Sequence, residues 1–209
     1  MGAKPILIDS GSPGDLPTLE KKLKKVGVTL AEIELLILTH AHFDHAGNAA
    51  AIRKCAGCQV AAHESERAFL ENGKNAVIMP YNFIAQLMNP FMNIPFAATV
   101  VDIVVKASLD LNPYGADARI ILTPGHTPGS ISVITTGGEA IVGDLIGGGL
   151  LLGLLLPDRP RYHYWIASMD EVHTSLKGLF AREIVKIHVG HGGPLSGIQA
   201  RKFFSSNDC

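Results

Sequence analysis

Residues 40–45 crowd three imidazoles and a carboxylate into the run Thr39-His40-Ala41-His42-Phe43-Asp44-His45-Ala46. The chain holds nine histidines in 209 residues, so a third of them fall in this one short segment. Directly before it comes Ile33-Glu34-Leu35-Leu36-Ile37-Leu38, a short apolar run that reads as a buried strand. The histidines then lie on the loop at that strand's C-terminal edge. Alternate side chains of an extended backbone point the same way, so His40 and His42 can grip one ion together. Asp44 and His45 follow where the chain turns into an Ala-rich helix, and they can face a second ion. Imidazole and carboxylate suit a borderline divalent metal such as zinc. A structural zinc site would favour paired Cys ligands. This segment has none, so an open, catalytic coordination sphere is the better reading. A surface helix cap would account for Asp44 alone, and not for three histidines.

The same arrangement recurs downstream. His126 lies in Thr123-Pro124-Gly125-His126-Thr127-Pro128-Gly129, Asp144 follows Gly143, and His191 sits between Gly190 and Gly192. Each comes just after an apolar strand-like run, and each is flanked by Gly, which permits tight turns and close backbone approach. Together with residues 40–45 they offer seven ligands from four strand ends.

The surrounding pattern is mixed α/β. Strands are expected at 4–8, 33–38, 60–62, 100–105, 119–122, 130–135, 139–142 and 184–189, with a hairpin across Thr136-Gly137-Gly138. Helices are expected at 16–26, with Asp15 as N-cap and Gly27 as stop, at 46–54, at 65–72 with Ser65 as N-cap, at 166–179 and at 198–204. A single domain over residues 1–209 is expected, with a helical insertion around 65–97. The balance of 18 Lys+Arg against 19 Asp+Glu gives a net charge of -1, which favours neither nucleic acid nor an anionic membrane. The greasiest stretch, residues 145–156, is broken by glycines and falls short of the ~20 residues a membrane span needs. The start has no signal-peptide pattern, and the three Cys are an odd number. Both point to a cytoplasmic protein.

At these residues the sequence resembles the metallo-β-lactamase superfamily, glyoxalase II-like. The T-H-x-H-x-D-H loop is residues 39–45, and Thr123-Pro124-Gly125-His126-Thr127, Gly143-Asp144 and Gly190-His191-Gly192 match its later motifs. The resemblance implies an αββα sandwich with the metals in a cleft at one sheet edge. It assigns His40, His42 and His126 to one ion and Asp44, His45 and His191 to the other, with Asp144 bridging. Asp9, in Ile8-Asp9-Ser10-Gly11, matches a residue that supports the metal loop from behind. It implies two divalent ions, zinc first, with iron or manganese as alternatives. The expected activity is hydrolysis of a small ester, thioester or lactone by a metal-bridging hydroxide, with Asp44 as the catalytic carboxylate. Phosphodiester hydrolysis and iron-dependent oxidoreduction are the alternatives on the same fold. Only eight residues precede Asp9, fewer than family members usually carry. The first sheet is therefore expected to lack its first N-terminal strands, which favours a homodimer.

The substrate pocket is less defined. Residues 75–96 are long for a plain connection and rich in Met and aromatics, either a lid or a packed insertion. Residues 145–156 either line the cleft or join the core. The cluster Arg159, Arg161, Tyr162, His163, Tyr164 and Trp165 either binds a substrate's polar end or covers the surface. Tyr81, His163 and Tyr164 are the candidate substrate contacts, for a small molecule. His63, His173 and His188 read as structural, and Cys55, Cys58 and Cys209 as free thiols.

Overall fold

The computed structural model describes residues 4–77 and 79–206; Ile78 and Cys209 lie outside them. Apolar runs with hydrophobic residues on both faces make the first sheet. Strands β1 (Ile6–Ile8), β2 (Leu35–Ile37), β3 (Gln59–His63) and β4 (Ile103–Val105) lie in that order, all parallel. Parallel strands covered on both sides need continuous apolar sequence rather than alternation. Period two then sorts the side chains. Leu35, Ile37 and Ala61 point to one core, and Leu36, Leu38, Val60 and Ala62 to another.

The outer core of this sheet is covered by helices α1 (Leu16–Lys25), α3 (Ala49–Ala56) and α4 (Glu64–Glu71), which follow the short α2 (Phe43–Ala46) or flank it. Leu16, Leu19 and Leu23 of α1, Ala49 and Ile52 of α3, and Phe69 and Leu70 of α4 pack there. The second sheet contains β5 (Ser108–Asp110), β6 (Ala118–Leu122), β7 (Ile131–Thr135), β8 (Glu139–Ile141), β11 (Lys186–His188) and β12 (Leu195–Ser196). Their spatial order is β12-β11-β8-β7-β6-β5. Its inner face meets the first sheet through Leu111, Ala118, Ile120, Ile131 and Val133, against Leu35, Ile37 and Val105. Its outer face carries α6 (Met169–Phe180) and α7 (Gly197–Ser205), through Val172, Leu176, Leu179, Ala200 and Phe204. Helix, sheet, sheet and helix layers follow, the αββα sandwich.

The directions of the strands gather the site. β6 and β8 are each antiparallel to β7, and β8 is parallel to β11. So β6, β8 and β11 run the same way. The loops after them carry His126, Asp144 and His191 to one edge of the sheet. The loops after β1 and β2 carry Asp9 and residues 40–45.

Several expected boundaries move, for local reasons. Asp15 precedes α1, but its side chain makes no capping hydrogen bond. α4 starts at Glu64, and the His63 ring, not Ser65, is its cap, accepting from the Ser65 N–H. The expected helix at 46–54 is two, α2 and α3. α6 begins only at Met169, because Ala167 N–H donates to Gly125 O instead and the Ser168 hydroxyl caps Glu171. Among the described residues between Glu71 and β4, helix is confined to α5 (Phe83–Met88) and a single turn at Asn89–Phe91. Residues 145–156 divide. Leu145 and Ile146 are core, whereas Leu150, Leu151, Leu154, Leu155 and Leu156 are exposed on a hairpin of β9 (Gly147–Leu150) and β10 (Leu155–Arg161). They neither line the cleft nor fill the core.

Candidate metal centre

The first group of donors is His40, His42 and His126, all buried, with ligand atoms within 4.8 Å of one another. His42 Nδ1 lies 3.0 Å from His126 Nε2. Zn–N bonds of ~2.0–2.1 Å at a tetrahedral angle put two nitrogens about 3.3 Å apart, so the pair already sits near a shared-ligand spacing. The second group is Asp44, His45, Asp144 and His191, at the same mutual distance limit. Its His191 Nε2 lies 3.1 Å from Asp44 Oδ2 and 3.4 Å from Asp144 Oδ2, and His45 Nε2 lies 3.3 Å from Asp144 Oδ2. Asp144 Oδ2 stands between the two groups, 3.7 Å from His126 Nε2 and 4.0 Å from His40 Nε2. His126, Asp144 and His163 make a third group.

The donors fit divalent metal on one further observation. His40 Nε2, His163 Nε2 and Asp144 Oδ1 are buried without a hydrogen-bond partner among the described residues. A buried polar atom left unpaired costs about 1–3 kcal/mol. Several converging on one point are explained by a ligand that uses them. Gly190 keeps that point open: a Cβ there would collide with Asp144 Oδ1 and the His45 ring.

The two groups differ in charge. Burial pushes His40 well below the ordinary imidazole value, and His42 and His126 down to about 3, with the neighbouring rings adding to it. These rings are neutral, as ligands must be. In the second group burial works against every charge and loses. The His191 hydrogen bond and the His45 charge hold Asp44 at about 2. The neighbouring rings of His163, His191 and His45 hold Asp144 well below the carboxylate range, although burial lowers His163 itself. In return, Asp144 and Asp44 raise His191 to about 10, and Asp144 and Asp9 raise His45 well above its ordinary value. Without metal, two carboxylates and two imidazolium rings balance there. A dication brings the same positive charge and displaces those protons.

Behind the ligands lies a shell of fixed hydrogen bonds. Asp9 accepts from Thr39 N–H at 2.8 Å, from Thr39 Oγ1 at 2.8 Å and from His45 Nδ1 at 2.7 Å. Its φ of 60 lies in the left-handed region, which Asp tolerates better than most residues. Thr39 Oγ1 in turn meets His40 Nδ1 at 3.1 Å, and Trp165 O meets His126 Nδ1 at 2.7 Å. Sequence reasoning missed Glu66. This buried carboxylate accepts from Ala41 N–H through Oε2, and from Thr127 Oγ1 and Gly129 N–H through Oε1. It ties the His40–His42 loop to the His126 loop. Nothing in Glu64-Ser65-Glu66 distinguishes it from its exposed neighbour Glu64. Ser10 and Asn48 were missed as well: Ser10 Oγ donates to His45 O, and Asn48 donates to Ser10 O and Ser12 O.

A narrow cleft opens over the donors, walled by Phe43, Met92 and Trp165. His163 reaches it and is buried against Asp144. Tyr81 and Tyr164 are not among its lining residues. Tyr81 is half exposed, and the Tyr164 ring is buried, its hydroxyl accepting from Leu151 N–H at 3.0 Å. Of the remaining histidines, His63 caps α4, His173 bonds the Tyr162 hydroxyl and His188 bonds Glu139.

Known proteins resemble this chain in sequence and in fold. A probable metallo-hydrolase of Methanocaldococcus jannaschii is 35% identical over 192 residues, covering 92% of this chain and 84% of the relative. A probable metallo-hydrolase of Bacillus subtilis is 27% identical over 142 residues, covering 68% of this chain and 60% of the relative. Among solved structures, a subclass B3 metallo-β-lactamase of Bradyrhizobium japonicum superposes with a TM-score of 0.64 at 24% identity, covering 98% of this chain and 80% of that one. The family model described as the metallo-β-lactamase superfamily matches residues 2–191. With its donors on four strand ends of an αββα sandwich, this chain belongs to the metallo-β-lactamase superfamily.

Proposed function

We propose that this chain is a metal-dependent hydrolase that holds two divalent ions, zinc by donor chemistry, and cleaves a small ester, thioester or lactone. The observation that carries the reading is the pair of adjacent donor groups, one neutral and one charge-balanced, joined at Asp144. When bound, the ions supply Lewis acidity and lower the pKa of bound water toward neutrality. The chain's own residues do the rest. His40, His42 and His126 hold one ion, Asp44, His45 and His191 the other, and Asp144 touches both groups. Asp44 stays ionised at neutral pH and can accept a hydrogen bond from an attacking water at the cleft floor. Phe43, Met92 and Trp165 exclude bulk water from that floor, which strengthens every polar interaction within it. The near-neutral net charge supplies no field for a polyanionic substrate, which favours an uncharged acyl group.

The test is metal analysis on freshly purified protein, followed by chromogenic esters, thioesters, lactones, phosphodiesters and β-lactams. Two zinc per chain and turnover of an acyl substrate are expected. One iron per chain, or turnover of phosphodiesters alone, overturns the reading. His42→Ala should lose metal and turnover together, by more than the ~10–100-fold that outer-shell changes cost.

A further inference from the structure

His163 lies nineteen positions beyond Asp144, outside every motif described above, yet it is built like the metal ligands. Its ring is buried, and its Nε2 has no hydrogen-bond partner among the described residues. That nitrogen lies 3.3 Å from Asp144 Oδ2. The ring stands edge-on to His126, with centroids 4.6 Å apart, and stacks on His191 at 5.6 Å.

The hydrogen bonds fix which nitrogen is available. A carbonyl oxygen can only accept, so a ring nitrogen bonded to it carries the proton. Trp165 O meets both His126 Nδ1, at 2.7 Å, and His163 Nδ1, at 3.2 Å. The Trp165 N–H also faces His163 Nδ1, at the longer 3.4 Å, so the carbonyl is the better partner. With Nδ1 protonated, a neutral ring presents its Nε2 lone pair. His45, anchored through Nδ1 to Asp9, and His40, through Nδ1 to Thr39 Oγ1, aim their Nε2 atoms at the centre in the same way. The histidines outside the centre do not: His63, His173 and His188 each have Nε2 engaged, by Lys106 O, the Tyr162 hydroxyl and Glu139 respectively.

We propose that His163 is a further metal ligand of this centre, sharing an ion with His126 and Asp144. The proposal rests on the two-ion reading above. It makes this centre richer in donors than the seven-residue pattern that the sequence motifs supply.

Cadmium with nuclear spin one-half, bound to protein carrying labelled histidine nitrogens, reports ligation directly. A ring nitrogen bonded to the ion shows scalar coupling to it, and an unbound one does not. The wild-type chain is used, and His163→Gln serves to assign the His163 signal. Coupling at His163 Nε2 is the expected result. Coupling at His40, His42, His126, His45 and His191 but not at His163 overturns this inference and leaves the two-ion centre standing. No coupling at any ring overturns both. In parallel, competition with a chromogenic chelator should show that His163→Gln weakens binding of one ion by about 10-fold or more, at least the loss that outer-shell changes produce. Unchanged affinity in a folded His163→Gln protein, with a raised KM alone, would make the residue a substrate contact and not a ligand.

Discussion

The floor of the cleft and its rim are built by opposite rules. On the floor, nearly every donor is fixed from behind: His45 by Asp9, His40 by Thr39, His126 by Trp165 O, and the backbone of both ligand loops by Glu66. On the rim, Phe83, Leu87 and Phe91 of one segment and Leu154 of the β9–β10 hairpin are between 69% and 80% exposed. The two rim segments meet in a small cluster of Ala85, Tyr164 and Trp165, with Met88, Met92 and Leu152 packed around it. The difference separates two tasks. Fixed donors set the chemistry, because a ligand misplaced by ~1 Å is costly. Apolar surface left uncovered beside the Met92–Trp165 wall is what an acyl group would meet if the proposed substrate class holds, since large exposed apolar patches mark binding surfaces.

The largest effect outside the ligands themselves is expected at Asp9. Its two oxygens accept three hydrogen bonds, from Thr39 N–H, Thr39 Oγ1 and His45 Nδ1. Asn tolerates the left-handed backbone at this position but brings an NH2 where an acceptor is needed. Asp9→Asn should weaken metal binding by ~10–100-fold, read by chelator competition, and should cost the metal-free protein about 1–3 kcal/mol as well, because one donor loses its acceptor. Equal affinity in the two proteins would show that the floor does not depend on its outer shell.

These two regions were unequally legible in the sequence. The candidate donors could be read because metal chemistry restricts donors to few residue types, and the strand ends were visible as apolar runs before them. β2 and β6 lie where their Ile and Leu residues suggested. Glu66 was not legible, since its burial follows from α4 lying across both ligand loops, and no local pattern records that. His163 was legible as a candidate substrate contact within a polar-aromatic cluster but not as a neighbour of Asp144, because its convergence there depends on the path of β10. The exposed leucines misled for the converse reason. Hydrophobicity signals burial on average, and Leu150, Leu151, Leu154, Leu155 and Leu156 are exposed on a hairpin of which Leu152 packs into the Tyr164–Trp165 cluster. Leu151, Leu152 and Leu156 even adopt positive φ there, which β-hairpin sequence rules assign to Gly, Asn or Asp.

An intermediate effect is expected at Glu66, on folding rather than on metal affinity. Glu66→Ala leaves the Ala41 and Gly129 N–H groups without their acceptor and the Thr127 hydroxyl with Ser130 Oγ as its remaining partner, in a place that is 1% exposed at Glu66 itself. Each buried donor so orphaned costs about 1–3 kcal/mol, partly relieved by water that enters the space. A net loss of about 3 kcal/mol is expected in urea unfolding of the metal-free chain. Glu66→Gln retains one acceptor oxygen and should lose less. Loss of the same size in both variants would show that the charge, and not the count of acceptors, matters at this junction.

The smallest effect on stability is expected at the rim. Leu154 is 80% exposed, and substitutions at such positions stay within about 0.5 kcal/mol. Leu154→Ser should therefore leave the unfolding midpoint and the metal content unchanged. Its consequence belongs to the substrate. If the uncovered leucines and phenylalanines receive an acyl chain, Leu154→Ser and Phe83→Ser should lower kcat/KM for longer acyl esters by about 10-fold or less, the scale of a methylene or two in an apolar contact. Short acyl esters, which do not reach the rim, should be turned over as before, because the floor that activates water is untouched. Equal losses on long and short chains would mean that the rim acts by holding the Tyr164–Trp165 cluster over His126, so that floor and rim are one structure. An unchanged preference in both variants would remove the rim from substrate recognition altogether.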